Sequence, residues 1–253
     1  PLGPFKNGRK MNIGKYNQID PAAFIDDDGQ AYYTWGQFTA KMAKLKPNNT
    51  EFHLENTNTH VMTEDSQGNL WVGTLSGGLY YKEKASESFK GFTGFKDFPI
   101  PSDLIVEAIH VDHQDNLWVG SYGKGLYIID LKDSTSVNLM PDIRNPYSIG
   151  FQDILSIFQD RKGGIWIGTD GGGVSYYEKQ FNNFRRITNQ NVSKEVSIEQ
   201  IRSIATDKDG KVWIGTSGQG LTLYEPKNRD VETIYLPPIH ANIGNPNRVV
   251  SLH

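Results

Sequence analysis

Few residues in this chain could do chemistry, and the candidates are carboxylates, a histidine and an arginine at the starts of short β-rich runs. Three carboxylates fit this description, Asp20, Glu107 and Asp153. A pair of carboxylates can hydrolyse a glycosidic bond, as general acid and general base, when they lie about 6.5–9.5 Å apart with a water between them. The spacing of these three carboxylates does not identify any two of them as such a pair. We therefore favour a non-catalytic protein.

A metal centre is the other chemistry that the sequence raises. Among the six histidines, only His110 and His113 lie close together. Zinc sites take three or four His, Cys or carboxylate ligands, and two histidines at the end of a strand are a weak signal for one. The chain has no cysteine, which removes thiolate ligands and disulfides. We therefore expect no metal and no cofactor.

The elements that position these residues come from a repeat. Four tryptophans are spaced 47, 48 and 47 residues apart, and an aspartate precedes each by six residues. The tryptophans are Trp71, Trp118, Trp166 and Trp213, and the aspartates are Asp65, Asp112, Asp160 and Asp207. A period of about 45 residues made of short strands and glycine turns predicts the blades of a β-propeller.

One repeat predicts one blade of four antiparallel strands. In the first repeat the strands are expected over 60–64, 70–74 and 79–82, with a fourth within 86–95. The aspartate starts the first turn, since Asp bonds its own backbone two residues on. We expect the tryptophans to pack between blades. The glycine two residues after each tryptophan predicts close approach of neighbouring sheets. These glycines are Gly73, Gly120, Gly168 and Gly215.

Residues 1–51 follow the same element order in a different sequence style, with strand, Asp-Gly hairpin and strand over 19–36 and a third strand over 39–46. The prediction is an all-β propeller of about five four-stranded blades. Residues 1–57 form the first blade. The others lie near 58–104, 105–152, 153–199 and 200–244, and 245–253 begins a further blade.

A propeller gathers the starts of its innermost strands around the axis, where polar groups from different blades converge. The predicted ligand-binding residues are Asp20, His60, Glu107, Asp153 and Arg202. This set mixes charges and contains both donors and acceptors, which suits a neutral polyhydroxylated ligand better than a phosphate or a lipid.

Composition excludes several other classes. The formal net charge is −3, so nothing indicates nucleic acid or an anionic membrane surface as partner. No apolar run approaches the roughly 18 residues of a membrane span. The partners considered are an oligosaccharide and a second copy of the chain.

Residues 58–253 resemble two-component-regulator propeller repeats. The motifs are Asn-Leu-Trp-Val-Gly-Thr at 69–74 and its counterparts at 116–121, 164–169 and 211–216, with Asn-Pro-Tyr-Ser-Ile at 145–149. The resemblance implies the periplasmic, oligosaccharide-responsive sensor part of a hybrid two-component system. A role in ligand sensing or interaction follows from it, and a scaffold without a small ligand is the third hypothesis.

Residues 1–51 resemble a blade of glycoside hydrolase family 43. The motifs are Pro-Leu-Gly-Pro-Phe at 1–5, Ile-Asp-Pro at 19–21 and Phe-Ile-Asp-Asp-Asp-Gly-Gln-Ala-Tyr at 24–32. The resemblance implies that Asp20 is the carboxylate that orients and tunes the catalytic acid. It also implies a base upstream of Pro1 and an acid in a Glu-Gly-Pro motif that this chain lacks. The alternative hypothesis is therefore an arabinofuranosidase- or xylosidase-type hydrolase, or a truncated, inactive remnant of one.

Overall fold

The structure is a computed structural model. It describes residues 59–178, 183–192, 196, 198–235, 247–249 and 251–252 in full, and the strands at 22–25, 31–35, 41–45 and 50–53 as backbone. Asp20, the hairpin turn at 26–29 and the Asn-Pro pair at 245–246 lie outside the described residues. No helix occurs in the described part of the chain, so no helix there is long and apolar enough to cross a membrane.

The described chain forms five four-stranded antiparallel sheets in which consecutive strands are neighbours. We call the first the N-terminal sheet and the others blades 1 to 4. The N-terminal sheet has β1 (Ala22–Ile25), β2 (Ala31–Trp35), β3 (Lys41–Leu45) and β4 (Thr50–His53); blade 1 has β5 (Thr59–Glu64), β6 (Leu70–Thr74), β7 (Leu79–Lys82) and β8 (Lys90–Phe92). A hairpin of β9 (Gly94–Phe95) and β10 (Phe98–Pro99) follows; blade 2 has β11 (Val106–Val111), β12 (Asn116–Ser121), β13 (Leu126–Asp130) and β14 (Thr135–Leu139). Blade 3 has β15 (Ile154–Gln159), β16 (Ile165–Thr169), β17 (Val174–Glu178) and β18 (Asn183–Ile187); blade 4 has β19 (Ile201–Thr206), β20 (Val212–Thr216), β21 (Leu221–Glu225) and β22 (Asp230–Ile234).

These five sheets fit the five predicted blades. The first strands of blades 1 to 4 contact one another in sequence, β5 with β11, β11 with β15 and β15 with β19. They are therefore the innermost strands, and the fourth strands form the outer edge.

The apolar core lies between blades, as the repeat predicts. Each of the first three tryptophans is buried and packs on the innermost strands of the following blade. Trp118, for example, is 2 % exposed and belongs to a cluster with Ile154 and Ile167 of blade 3. Trp213 is only half-buried, because no further sheet covers that face of blade 4 among the described residues.

The glycines that follow the tryptophans allow this close packing. A Cβ built on Gly120 would lie 2.5 Å from Cγ2 of Ile154, the first residue of the next innermost strand. The corresponding contact from Gly73 to Val106 would be 2.3 Å. No side chain fits there, and the predicted approach of neighbouring sheets is confirmed.

The repeat aspartate has a second function in the fold. In blade 2, Oδ1 of Asp112 accepts hydrogen bonds from the backbone N–H groups of Gln114 and Asn116, both at 2.9 Å, which fixes the predicted turn. Its Oδ2 accepts a hydrogen bond of 2.9 Å from the indole Nε1 of Trp118. Blades 1 and 3 repeat the indole bond at the same distance. The aspartate thus ties the turn to the tryptophan that packs against the next blade.

Candidate functional site

The innermost strands carry a β-bulge at their second residue in all four blades. The register of strand pairing shifts between the first and third residues of β5, β11, β15 and β19. A bulge leaves its extra residue outside the hydrogen-bonded ladder and re-aims the side chain. We name the four bulge residues the axial residues. They are His60, Glu107, Leu155 and Arg202.

Two axial residues from neighbouring blades touch. Nε2 of His60 lies 3.3 Å from Oε2 of Glu107, and their side chains are 34 % and 16 % exposed. Both groups are thus partly open to solvent at the start of the innermost strands. Leu155 follows on blade 3 as a buried apolar residue.

The charge of Arg202 on blade 4 also acts on Glu107. The hydrogen bond from His60 lowers the pKa of the Glu107 carboxyl, burial opposes that effect, and the charges of His60 and Arg202 lower it further. The net pKa is below its usual range, so Glu107 is a carboxylate at neutral pH. It can accept hydrogen bonds, but it has no proton to give as a general acid.

Arg202 completes the group on the other side of Leu155. Its Nε donates a hydrogen bond of 2.8 Å to Oγ of Ser217, which lies in the hairpin after β20. Its other guanidinium N–H groups have no hydrogen-bond partner among the described residues, and they remain available as donors. Arg202 is also close enough for its charge to lower the pKa of Glu107, so a donor of blade 4 lies within electrostatic range of an acceptor of blade 2.

Asp153 lies beside this group and is already engaged. Its Oδ1 accepts a hydrogen bond of 2.6 Å from the backbone N–H of Gly123, in the β12–β13 hairpin of blade 2. Its carbonyl accepts one of 2.9 Å from the N–H of Asp170. Asp153 thus joins blade 2 to blade 3, and its predicted contact with a ligand stays a prediction.

The structure therefore brings together three of the predicted ligand-binding residues, His60, Glu107 and Arg202. It adds Ser217, which sequence reasoning missed because the contact depends on how the hairpin folds back over β19. The signal that could have found the axial set is the variable second residue of each innermost strand, beside a nearly constant apolar first residue.

His110, in β11, and His113, in the turn after it, belong to no candidate metal site, since no group of three or more His, Asp or Glu side chains among the described residues could hold an ion. His110 is largely buried, and its Nε2 has no hydrogen-bond partner. Burial lowers the pKa of His110, against opposing effects from Gln159 and Asp112. The ring is therefore neutral at physiological pH and packs as a large side chain.

Comparisons with known proteins agree with this architecture. The model of the two component regulator propeller matches residues 53–76, 99–123, 148–171 and 196–218. Each matched segment ends at the hairpin after the second strand of a blade. None includes residues 1–51, so the resemblance of that stretch to glycoside hydrolase family 43 stays a prediction. A comparison with curated proteins finds no match.

Two solved structures from B. thetaiotaomicron share the fold. One is the extracellular domain of BT3049, described as a hybrid two component system, with a TM-score of 0.67 and 19% identity over 84% of this chain. The other is the extracellular domain of BT4673, with the same description, a TM-score of 0.51 and 21% identity over 87% of this chain. This chain spans only 28% and 29% of their lengths.

The matched segments, the repeated Asp–Trp bond and the four equivalent blades agree on one assignment. Blades 1 to 4 of this chain are two component regulator propeller repeats.

Proposed function

We propose that this chain is a non-catalytic sensor module that binds an oligosaccharide at the axial mouth of the propeller. The observation that carries the proposal is the convergence of His60, Glu107 and Arg202 from three blades. A ligand that bridges these residues would contact several blades at once, so that binding could change how the blades sit against one another.

The chemistry of the axial residues favours hydroxyl groups as ligands. Glu107 offers a carboxylate that accepts hydrogen bonds, and Arg202 offers guanidinium N–H groups that donate them. A sugar hydroxyl does both, and neighbouring hydroxyls on one ring can engage an acceptor and a donor together. The charges of the pair largely cancel, which suits a neutral sugar better than an anion or a cation.

The cellular role follows from the fold relatives and is part of the proposal. The structures of similar fold are extracellular domains of two component systems. We place this chain on the periplasmic side of a bacterial membrane, as part of a sensor for a soluble glycan. Homodimerisation is the simplest way for such a module to pass a signal on, and analytical ultracentrifugation with and without ligand would detect it.

Isothermal titration against a panel of plant and host glycans tests the site. We expect at least one oligosaccharide to bind, and the double variant Glu107→Ala/Arg202→Ala to weaken that binding by about tenfold or more, or about 1.4 kcal/mol. Glu87→Ala/Lys96→Ala is the matched control. It removes one acid and one base from the exposed outer part of blade 1 and the connection that follows it, and should leave affinity within about twofold.

The other outcomes separate the hypotheses. Binding that survives the axial double variant would move the site elsewhere. No binding across the panel would favour a scaffold without a small ligand. Turnover of an aryl arabinoside or xyloside that disappears in Asp20→Asn would establish the hydrolase alternative, which no contact of the described residues favours.

A further inference from the structure

A concave site lies away from the axial residues, between blades 3 and 4. It is a cleft of about 670 Å³. Thr206, the last residue of β19, lines it, whereas Arg202 lies near the start of the same strand. The cleft is therefore at the opposite end of the innermost strands from the axial mouth. Its walls include Tyr176, Tyr224, Arg161, Lys208, Lys227 and Arg229.

The interface that forms this cleft differs from the preceding one by a smaller side chain on the outer strand. Between blades 2 and 3, Phe184 of the outer strand packs on Tyr177 with ring centroids 5.1 Å apart, and both belong to the cluster around Trp118. Blade 4 places Val231 opposite Tyr224, as blade 3 places Phe184 opposite Tyr177. A valine fills much less space than a phenylalanine, and Trp166 lines the cleft at this interface.

The acidic groups of the cleft are mostly engaged by the protein itself. Asp160 accepts hydrogen bonds from the indole of Trp166 and from the backbone of Lys162 and Gly164. Oε1 of Glu178 forms an ion pair with Nε of Arg185 at a distance of 2.9 Å. Glu178 is therefore paired with a cation, whereas Asp160 is held by neutral donors and keeps its negative charge.

The cations of the cleft are, by contrast, mostly uncommitted. Five basic side chains form no ion pair or side-chain hydrogen bond with any described residue. The five are Arg161, Lys162, Lys208, Lys227 and Arg229. Over the whole lining, seven basic side chains outnumber five acidic ones, which are Asp160, Glu178, Asp207, Asp209 and Glu225, so the cleft has a net positive charge. The cleft is a pocket with an apolar aromatic wall under a rim of unpaired positive charge.

We propose that this cleft binds a small anionic ligand, a ring that carries a carboxylate or a phosphate group. Its volume lies in the range of about 300–1,000 Å³ typical of small-molecule sites. Uncommitted Arg and Lys side chains give short, charge-assisted hydrogen bonds to carboxylate or phosphate oxygens. The rings of Tyr176 and Tyr224 supply the surface against which the body of the ligand packs.

Titrations with glucose 6-phosphate, glucuronate, inorganic phosphate and glucose test the proposal and identify the anion. The first two place a phosphate and a carboxylate on the same kind of ring, and glucose is the neutral control. We expect one of the two charged sugars to bind, with affinity that falls as NaCl is added, and glucose not to bind at this site. The charged sugar that binds more tightly identifies the group that the rim recognises.

Lys208→Gln/Arg229→Gln tests the location. Both side chains are exposed and unpaired, so the variant should fold normally and weaken binding of the charged sugar by about tenfold or more. Lys84→Gln/Lys96→Gln removes the same charge from the region of blade 1 and should change affinity by less than about twofold. The axial variant Glu107→Ala/Arg202→Ala should also have no effect, which separates this site from the proposed sensor site.

Three results would overturn the inference. Equal binding of glucose and the charged sugars would show that the cleft does not recognise an anionic group. If a charged sugar still binds to the cleft variant with full affinity, its site lies elsewhere. If neither charged sugar binds, the proposed site does not exist. Inorganic phosphate that binds as tightly as glucose 6-phosphate would refute the part assigned to the aromatic wall.

Discussion

Replacing Asp112 by asparagine tests the bond between the turn and the tryptophan in blade 2. Asparagine has the same shape and can keep one oxygen toward the backbone N–H groups of Gln114 and Asn116. Its amide nitrogen then occupies the position of Oδ2, where the indole N–H of Trp118 and the side chain of Asn116 both donate. The variant therefore places a donor against two donors in a buried site.

The expected cost follows from what is lost. A hydrogen bond to a charged group contributes about 1.5–3 kcal/mol, and a buried donor left without a partner costs about 1–3 kcal/mol. These two effects overlap, so we expect Asp112→Asn to reduce the free energy of unfolding by about 2–4 kcal/mol. For a chain of this size, about 3 kcal/mol corresponds to a fall in Tm of about 6–12 °C.

Urea unfolding followed by far-UV circular dichroism measures this cost, with Asp133→Asn as the control. Asp133 is exposed and its carboxylate accepts no hydrogen bond from a described residue, so its variant should change stability by less than about 0.5 kcal/mol. A double-mutant cycle with Trp118→Phe should give a coupling of about 1–2 kcal/mol, because phenylalanine removes the indole donor. Equal losses in both Asp→Asn variants, or strict additivity with Trp118→Phe, would refute the bond as a stabilising contact.

The same carboxylate predicts an acid response. Burial alone would raise the pKa of Asp112, but the hydrogen bonds from Asn116, Trp118 and Gln114 outweigh it and lower the pKa. A carboxyl with a lowered pKa stabilises the fold above its ordinary pKa of about 3.8, and that contribution is lost as the pH falls below it. Asp112→Asn should therefore flatten the decline in stability below about pH 4.

Three further predictions concern packing and burial. Gly120→Ala should cost about 1–3 kcal/mol in urea unfolding, because its Cβ would overlap the next blade, while Gly91→Ala, whose Cβ would make an ordinary 3.8 Å contact with Cε1 of Tyr80, should be nearly neutral. Trp118→Ala should cost about 3–5 kcal/mol and the half-buried Trp213→Ala clearly less, and equal losses would contradict the packing of each tryptophan on the following blade. His110 has a lowered pKa, so the unfolded chain binds the extra proton first and stability should fall as the pH drops below about 6.5; in His110→Phe, thermal unfolding at a series of pH values should show a weaker fall.

The fold could be predicted largely from the sequence because one signal is repeated four times. The aspartate fixes a turn, the tryptophan packs between blades and the glycine allows close approach of neighbouring sheets. Their spacing therefore predicts the positions of both strands and turns. The partial exposure of Trp213 could not be predicted this way. The exposure of Trp213 depends on whether another sheet packs on blade 4, which is determined by the tertiary structure.

The candidate site could be predicted only in part. His60, Glu107 and Arg202 were found by their offset within the repeat, but the bulge that aims them is a feature of strand pairing and leaves no mark in composition. Asp153 has a plausible offset too, yet it directly precedes β15, two positions before the axial residue Leu155, and its carboxylate bonds to a hairpin instead. The cleft between blades 3 and 4 lies at an interface between side chains that are far apart in sequence, so it could not be predicted before the packing of the blades was known.

The bulge at the second residue of each innermost strand has an evolutionary consequence. Its residue lies outside the ladder, so its identity contributes little to strand pairing, and blades 1 to 4 indeed carry histidine, glutamate, leucine and arginine there. Each blade therefore offers one position that selection can change with little effect on the fold. A lineage of such repeats could acquire new ligand preferences by exchanging these few side chains, or whole blades, while the Asp–Trp–Gly framework stays constant.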